Sequence, residues 1–198
     1  VANTIVSHEG ETVVVQRHVA KAARGEGEQR EDVCSMLGLA PDDKYESTWE
    51  RVARLTRDYV EPQQLRKANA QLAITLLLTY ALGNADCHTK NLAFIYTSFD
   101  DVKVAPVYDM LTILAYDRYA DNPPGLYIDG RKSWDAKAAL WRYLQQHLGF
   151  EPSAQRALAD RVCQAVASVV PDLKHHIVHT PGFEPVGLRM LWEWNAGM

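Results

Sequence analysis

Three polar residues, Asp86, Asn91 and Asp109, have types and an order that could serve phosphoryl transfer. Asn91 follows Asp86 by five residues within the segment 83–91, Gly-Asn-Ala-Asp-Cys-His-Thr-Lys-Asn, and Asp109 lies further downstream. Phosphoryl transfer needs a metal ion on the phosphates and one group oriented toward the attacking hydroxyl. Mg²⁺ takes oxygen ligands and keeps several waters, so a few protein oxygens suffice. The pattern therefore indicates phosphotransferase chemistry.

Each polar side chain near the loop can be given a role in that chemistry. Asn91 and Asp109 would hold the metal, and Asp86 would accept a hydrogen bond from the acceptor hydroxyl. Lys90 would offset charge on the transferred group, and His88 would orient the loop. An isolated Asp-x-x-x-x-Asn is common because both residue types favour turns, so the flanking elements decide the interpretation.

The predicted elements around the loop suit such a site. The segment 72–82 is almost wholly apolar, too short to cross a bilayer, and predicts a buried helix that ends at Gly83. Residues 92–96 and 102–105 are apolar segments on either side of a polar turn, and they predict a short hairpin. This hairpin would bring the chain back toward the loop, and Asp109 with it.

Further segments along the chain form a pattern with the loop. In chain order they are 12–17 (Thr-Val-Val-Val-Gln-Arg), 29–34 (Gln-Arg-Glu-Asp-Val-Cys) with 37–39 (Leu-Gly-Leu) and 44–46 (Lys-Tyr-Glu), 83–91, and 104–109 (Val-Ala-Pro-Val-Tyr-Asp). Together they resemble the HipA-like serine/threonine kinases, toxins of bacterial toxin-antitoxin modules. The resemblance covers most of the chain, and the last two segments are its most specific part.

The resemblance implies a role for each residue of the loop. Asp86 would be the catalytic aspartate, and His88 and Lys90 would be supporting members of the same loop. Asn91 and Asp109 would be the magnesium ligands. ATP and Mg²⁺ are therefore the implied cofactors, and the implied substrate is a protein with a serine or threonine.

The resemblance also places an adenine-contacting hinge at Gln16, Arg17 and His18, where a strand enters the helical lobe. The family usually has Glu-Arg and then an aromatic residue here, but recognition through backbone groups would survive the change. A Gly-Gly-Pro stretch usual after the Lys-Tyr-Glu motif is replaced by Ser-Thr-Trp-Glu at 47–50. These are departures from the family pattern.

The implied fold is α+β and predominantly α: a kinase-like C-terminal lobe with small β-hairpins. We expect one domain over 1–198, with a flexible loop over 19–30, and no N-terminal lobe, which in the family carries the phosphate loop and a strand lysine. The complete protein would transfer the γ-phosphate of ATP, and this fragment alone would be inactive or weak. The alternative is a catalytically incomplete binding module, pseudokinase-like or half of a split kinase, that engages an antitoxin or a complementary chain.

Composition is consistent with a cytoplasmic protein that does not bind nucleic acid directly. The chain has 47% hydrophobic and 23% charged residues, a formal charge of -4 and a pI near 6.0, so no basic footprint for nucleic acid is present. Three scattered cysteines indicate a reducing compartment. No leader or membrane span is visible in the sequence. A DNA-binding antitoxin is a partner implied by the resemblance alone.

Three sets of polar residues allow other interpretations. Asp86, His88 and Asp109 could belong to a two-metal phosphatase or nuclease, although further ligands at useful spacing are lacking. The histidines at 175, 176 and 179 could bind zinc, but surface histidines are favoured. Cys87 could be a nucleophile, but a packed thiol is favoured because no base adjoins it.

Apolar spacing predicts the remaining elements. A hairpin is expected from 4–6 and 12–15. Further helices are expected after a Ser133 cap, with Trp134, Ala138, Trp141 and Leu148 on the apolar face, after Pro152-Ser153, and around 188–192.

Overall fold

The computed structural model describes residues 3–8, 12–17 and 29–198, the first two ranges by backbone alone. The strands are β1 (Asn3–His8), β2 (Thr12–Arg17), β3 (Gln29–Asp32), β4 (Ala93–Tyr96) and β5 (Lys103–Val104). The helices are α1 (Val33–Met36), α2 (Trp49–Tyr59), α3 (Pro62–Leu82), α4 (Lys137–Gln146), α5 (Pro152–His179) and α6 (Glu184–Gly197). The fold is α+β and predominantly helical, as predicted.

Helix α3 lies at the centre of the core and leads directly into the polar loop. It begins with Pro62 in the first turn, where the missing N–H costs nothing, and its buried residues include Leu72 and Leu76. It packs against α2, α5 and α6. Gly83 ends it in the left-handed conformation, φ 64°, and its N–H approaches the carbonyls of the last turn. The predicted end of this helix is confirmed.

The loop returns to the core through a small antiparallel sheet with strand order β3-β4-β5. Phe94 of β4 is opposite Val104 of β5 and opposite Glu31 of β3. The predicted hairpin is therefore confirmed, and a third strand flanks it that was not predicted. Of the loop expected over 19–30, residues 19–28 lie outside the described residues, while Gln29 and Arg30 belong to β3.

Strands β1 and β2 pair with each other in an antiparallel arrangement, with Val6 opposite Val14. This confirms the strands of the N-terminal hairpin, although its turn residues 9–11 lie outside the described part of the chain.

The C-terminal helices form where apolar periodicity places them, but the predicted buried faces are partly wrong, since Trp141 of α4 and Leu188 and Trp192 of α6 are exposed. Ser133 does not cap α4, which begins at Lys137 after Ala136. Its buried residues are Leu140, Tyr143 and Leu144, whereas Trp141 is 39% exposed. The prediction followed tryptophan spacing, but burial follows the packing of α4 against α5. Helix α5 starts at Pro152 as predicted. Among the described residues, no helix is both long and apolar enough to span a bilayer.

Candidate active site

The loop 83–91 is fixed to its surroundings by hydrogen bonds at several points. Both the N–H and the hydroxyl of Thr89 donate to the carbonyl of Lys44, at 3.1 and 2.8 Å. The N–H of His88 donates to Oδ1 of Asn91, at 3.1 Å. Thr89 and Asn91 belong to a short 3-10 turn and are buried. Because their backbone and side-chain groups are paired, the loop presents its polar side chains in a defined geometry.

Asn84 makes hydrogen bonds to the backbone of both acidic residues of the site, Asp86 and Asp109. Its Oδ1 accepts the N–H of Asp86 at 3.2 Å, and its Nδ2 donates to the carbonyl of Asp109 at 3.4 Å. The Asn84 residue is 1% exposed. An amide that is both donor and acceptor suits this position, because it satisfies backbone groups of two separate segments. This role was not predicted, because asparagine is common in turns and its presence there does not single it out.

Asp86 faces a partner from a distant part of the chain. The hydroxyl of Tyr45 donates to Oδ1 of Asp86, while the Asp86 side chain stays 35% exposed. Burial, followed by the contact with Asp86, raises the pKa of Tyr45 above its ordinary value, so its hydroxyl remains a donor. Tyr45 belongs to the Lys-Tyr-Glu motif, but the sequence assigned it no partner.

His88 is a buried, neutral imidazole. Burial, assisted by the Lys44 ammonium, lowers the pKa of His88, although Asp86 acts in the opposite direction. Its Nε2 lies 3.8 Å from Oδ1 of Asp86, longer than a hydrogen bond. The ring makes an edge contact with Tyr45, with centroids 5.0 Å apart. The contact with Asp86 is therefore not an ion pair, and the packing suits an orienting role.

Asn91 and Asp109 are in direct contact. Nδ2 of Asn91 donates to Oδ2 of Asp109 at 2.6 Å. Asp109 is exposed and has φ 53°, the left-handed region that aspartate tolerates better than most residues. The hydroxyl of Tyr108 donates to the carbonyl of Lys90 at 2.6 Å. The segment after β5 is thus joined to the loop by hydrogen bonds at two neighbouring positions, 108 and 109, while Asp109 stays exposed to solvent.

Helix α6 supports the segment that follows Asp109. Nε1 of Trp194 donates to the hydroxyl of Thr112 at 2.8 Å, in a buried position. Arg189 pairs with Asp117, and its guanidinium also approaches the carbonyl of Ala115. Helix α6 therefore helps to position the segment that follows Asp109.

The donor set suits one hard divalent cation. A carboxylate and an amide oxygen are ligands that Mg²⁺ accepts, and Oδ1 of Asn91 keeps a lone pair beyond the one that receives the His88 N–H. Over the described residues, no group of three His, Cys, Asp or Glu side chains could hold a metal. The two-metal hydrolase interpretation therefore lacks a ligand cluster there, whereas Mg²⁺ shared with phosphate oxygens needs none.

The remaining candidate residues have other surroundings or lie outside the described part of the chain. The side chain of Lys90 is exposed, and its carbonyl accepts the hydroxyl of Tyr108. Cys87 is 2% exposed, and burial raises its pKa to about 11, which is the environment of a packed thiol. The histidines at 175 and 179 stack at 4.0 Å on the last turn of α5, exposed to solvent and not in a loop. Gln16 and Arg17 end β2 with side chains not described, and His18 lies outside the described residues.

A cleft of about 490 Å³ opens beside Asp86. Its walls include Tyr45, Lys132 and the segment 122–125, Asn-Pro-Pro-Gly. A volume of this size can accept part of a ligand or a peptide side chain. Asn91 and Asp109 do not line it, so the cleft and the amide-carboxylate pair are separate features of the site. Sequence reasoning did not identify Lys132 or this segment.

Gly125 allows the cleft wall to lie against the loop backbone. A Cβ at this position would be 2.3 Å from the carbonyl oxygen of Cys87 and 3.1 Å from that of Ala85. Backbone atoms cannot move aside as a flexible side chain can, so only glycine fits here. The close approach explains why a Pro-Pro-Gly segment, typical of a turn, forms part of the site.

Comparison with known proteins places these features in a family context. A profile described as the HipA-like C-terminal domain matches residues 1–170. A protein of Sinorhizobium fredii named "Putative kinase Y4mE" is 32% identical over 152 residues, which is 72% of this chain and 35% of that protein. A Haemophilus influenzae protein named "Putative kinase" is 26% identical over 78 residues, 39% of this chain and 22% of that protein.

A solved structure has the same fold. It is the complex of HipA, HipB and operator DNA from a toxin-antitoxin system of Shewanella oneidensis MR-1, with a TM-score of 0.67 and 17% identity. The match covers 98% of this chain and 46% of that chain. The present chain thus spans about a third or less of its curated relatives and under half of this structural neighbour.

Proposed function

Because the chain belongs to the HipA-like C-terminal domain family, we propose that it is the catalytic lobe of a kinase that transfers the γ-phosphate of ATP to a serine or threonine of another protein. The observation that carries the proposal is the contact between Asn91 and Asp109, held in the same loop network as Asp86. Kinase chemistry needs a carboxylate for the acceptor and separate oxygens for a metal. Asp86 is proposed for the first role, and Asn91 of the loop together with Asp109 of the segment after β5 is proposed for the second.

In this proposal Asp86 orients the acceptor hydroxyl and takes its proton as the oxygen attacks the γ-phosphorus, while ADP leaves. Asp86 suits this role because one oxygen is held by Tyr45 and the side chain remains accessible from the cleft. His88, neutral and packed on Tyr45, limits the motion of the loop. Lys90 lies at the exposed end of the loop, where it offsets charge on the transferred group.

Asn91 and Asp109 would hold the magnesium ion, which supplies charge neutralisation on the phosphates when bound. Their side chains are already adjacent, so few groups must move to form the site. Gln16, Arg17 and His18 are proposed to contact adenine through the backbone. The phosphate-covering part of a kinase would come from sequence outside this chain, since the curated relatives are longer than the region matched.

Partner and location follow from the family in the same way. We propose a DNA-binding antitoxin as the partner, since the Shewanella HipA structure contains HipB and operator DNA. The cytoplasm is the proposed compartment, where an ATP-dependent toxin and its antitoxin would meet.

A second candidate is a non-catalytic binding module. The hydroxyl of Tyr45 occupies Oδ1, one of the two carboxylate oxygens of Asp86, and this is the observation that favours a site without phosphate transfer. In that case the chain would bind an antitoxin or a complementary chain without transferring phosphate. The two candidates differ in whether phosphate is transferred when all lobes are present.

The test is a phosphotransfer assay on the full-length protein with radiolabelled ATP, magnesium and proteins of the host cell. The kinase proposal expects labelled serine or threonine in a protein, lost when EDTA removes magnesium. The binding-module proposal expects no labelled protein with Mg-ATP. It also expects a partner protein to stay bound to the full-length protein in stoichiometric amount. Transfer without dependence on a divalent cation would contradict the kinase assignment of Asn91 and Asp109.

A further inference from the structure

The cleft beside Asp86 has a cation in its lining. This is Lys132, which precedes α4 in sequence and lines the cleft together with Tyr45. Its ammonium donates to the carbonyl of Tyr45 at 3.1 Å and lies 4.5 Å from the ring centre of Tyr127. These contacts fix the position of a charge that would otherwise be mobile.

Lys132 keeps donor capacity for a ligand. An ammonium has three N–H donors, and one is used by the Tyr45 carbonyl. Among residues 29–198, no carboxylate lies within 4.0 Å of this nitrogen, since the ion pairs found there involve other cations. Lys132 is thus a half-buried cation next to the cleft, and it has no carboxylate partner among residues 29–198. Such a cation favours a ligand that carries an anionic group.

The lining of the cleft holds few charges. Apart from Asp86, the residues that line it carry no negative charge, and Lys132 is the cation among them. Tyr119 lines the same cleft, and the guanidinium of Arg118 donates to its hydroxyl. An anionic group that enters the cleft away from Asp86 therefore has the ammonium of Lys132 as its charged partner.

We infer that this cleft binds the acceptor segment of the protein substrate and that Lys132 selects an acidic residue close to the phosphorylated serine or threonine. The inference deepens the proposed function and rests on Asp86 being its base. An acceptor hydroxyl directed at Asp86 places the neighbouring residues of an extended segment in the cleft. Pro123 and Pro124 provide an apolar, rigid wall for the backbone, and the ammonium provides the charged contact.

The experiment measures peptide binding by the full-length protein loaded with a magnesium complex of a non-hydrolysable ATP analogue. Two short peptides with one central serine are compared, flanked by glutamates in one and by glutamines in the other. We expect the wild-type protein to bind the glutamate peptide about tenfold more tightly, the size of one charge-assisted hydrogen bond. Lys132→Met should reduce the preference to about twofold or less, and Lys132→Arg should retain most of it.

Arg131→Met is the matched control. It removes the same charge from the neighbouring residue, whose side chain lines a different cavity with Asp129 and Arg142. The preference should be unchanged in this variant, and thermal unfolding of every variant establishes that each is folded. Equal binding of both peptides by the wild-type protein would overturn the inference. So would a Lys132→Met protein that binds both peptides normally but has lost affinity for the ATP analogue, which would assign Lys132 to the nucleotide.

Failure of the inference and failure of the proposed function give different results. Selective binding of the glutamate peptide without phosphate transfer, in a parallel assay with ATP, would leave the cleft assignment standing and reject the kinase. Equal phosphorylation and equal binding of both peptides would leave the kinase standing and reject the selection by Lys132.

Discussion

The hydroxyl of Tyr45 donates a hydrogen bond to Oδ1 of Asp86 across 41 residues of sequence. Tyr45 is itself held in place, because its carbonyl accepts from Lys132 and its ring packs against His88. The position of the proposed base is thus coupled to a motif at the start of the helical region. This contact makes Tyr45 a positioning residue and not a catalytic one.

We predict that Tyr45→Phe lowers kcat of the full-length protein roughly tenfold and leaves KM for ATP within about twofold, because a misplaced base slows chemistry without changing nucleotide contacts. Steady-state phosphotransfer kinetics measure both constants. Tyr59→Phe is the control, since Tyr59 is 50% exposed and is the last residue of α2. An increase in kcat would mean that the hydroxyl blocks Asp86 instead of positioning it.

Gly125→Ala should disturb the loop through its backbone. The new Cβ would meet the carbonyl oxygen of Cys87 at 2.3 Å, so we expect a loss of about 1–3 kcal/mol in the free energy of unfolding, typical of overpacking. Denaturant unfolding measures this loss, and peptide binding to the cleft should weaken in parallel.

Gly130→Ala is the comparison for that variant. Gly130 has φ 72° and open space around it, so alanine there adds strain of about 1 kcal/mol without a clash. The cleft of the Gly130→Ala protein should bind peptide with the wild-type affinity. If both variants lost stability and binding equally, close packing at Gly125 would not be the cause.

Asn91→Asp should make the stability of the folded protein depend on magnesium. The substitution replaces the hydrogen bond to Asp109, 2.6 Å long, by two adjacent carboxylates, and we expect a loss of about 1–3 kcal/mol in EDTA. Magnesium should restore much of it by neutralising the pair. Thermal unfolding with and without magnesium measures the effect, and Asp101→Asn, at an exposed ion pair, should show no magnesium dependence. A variant equally stable in EDTA and magnesium would argue against a cation at this pair.

Cys87 should be unreactive in the folded protein. Burial raises its pKa to about 11, so the thiol stays protonated through the neutral and mildly alkaline range and the nucleophilic thiolate is scarce. Iodoacetamide labelling followed by mass spectrometry should modify the partly exposed Cys163 first and Cys87 only after denaturation. Rapid labelling of Cys87 in the native protein would revive the nucleophile interpretation.

The parts of the site that are local in sequence were predictable. Apolar continuity located α3, Gly83 ended it, and alternating segments located the hairpin of β4 and β5. Turn chemistry and order then predicted that Asp109 would return toward the loop, and its contact with Asn91 agrees. These features follow from hydrophobic periodicity and backbone preferences, which a single sequence carries.

The parts that depend on distant contacts were not predictable. Nothing in the spacing of Tyr45, Gly125 or Lys132 reveals that they surround Asp86, because tertiary packing brings them there. Strand β3 was missed for the same reason: its short polar sequence pairs only because β4 presents an edge to it. The false cap at Ser133 arose because a serine before a helix is a common signal, whereas α4 begins after Ala136.

The role of Asp86 is tested by single-turnover phosphotransfer with the full-length protein carrying Asp86→Asn, measured together with its affinity for Mg-ATP. The rate should fall by about 10²–10⁴-fold, the range for loss of a general base. The dissociation constant of Mg-ATP should stay within about threefold, since Asn91 and Asp109 are intact. A variant that transfers phosphate at the wild-type rate would contradict the assignment of Asp86, and with it the proposed chemistry of the loop.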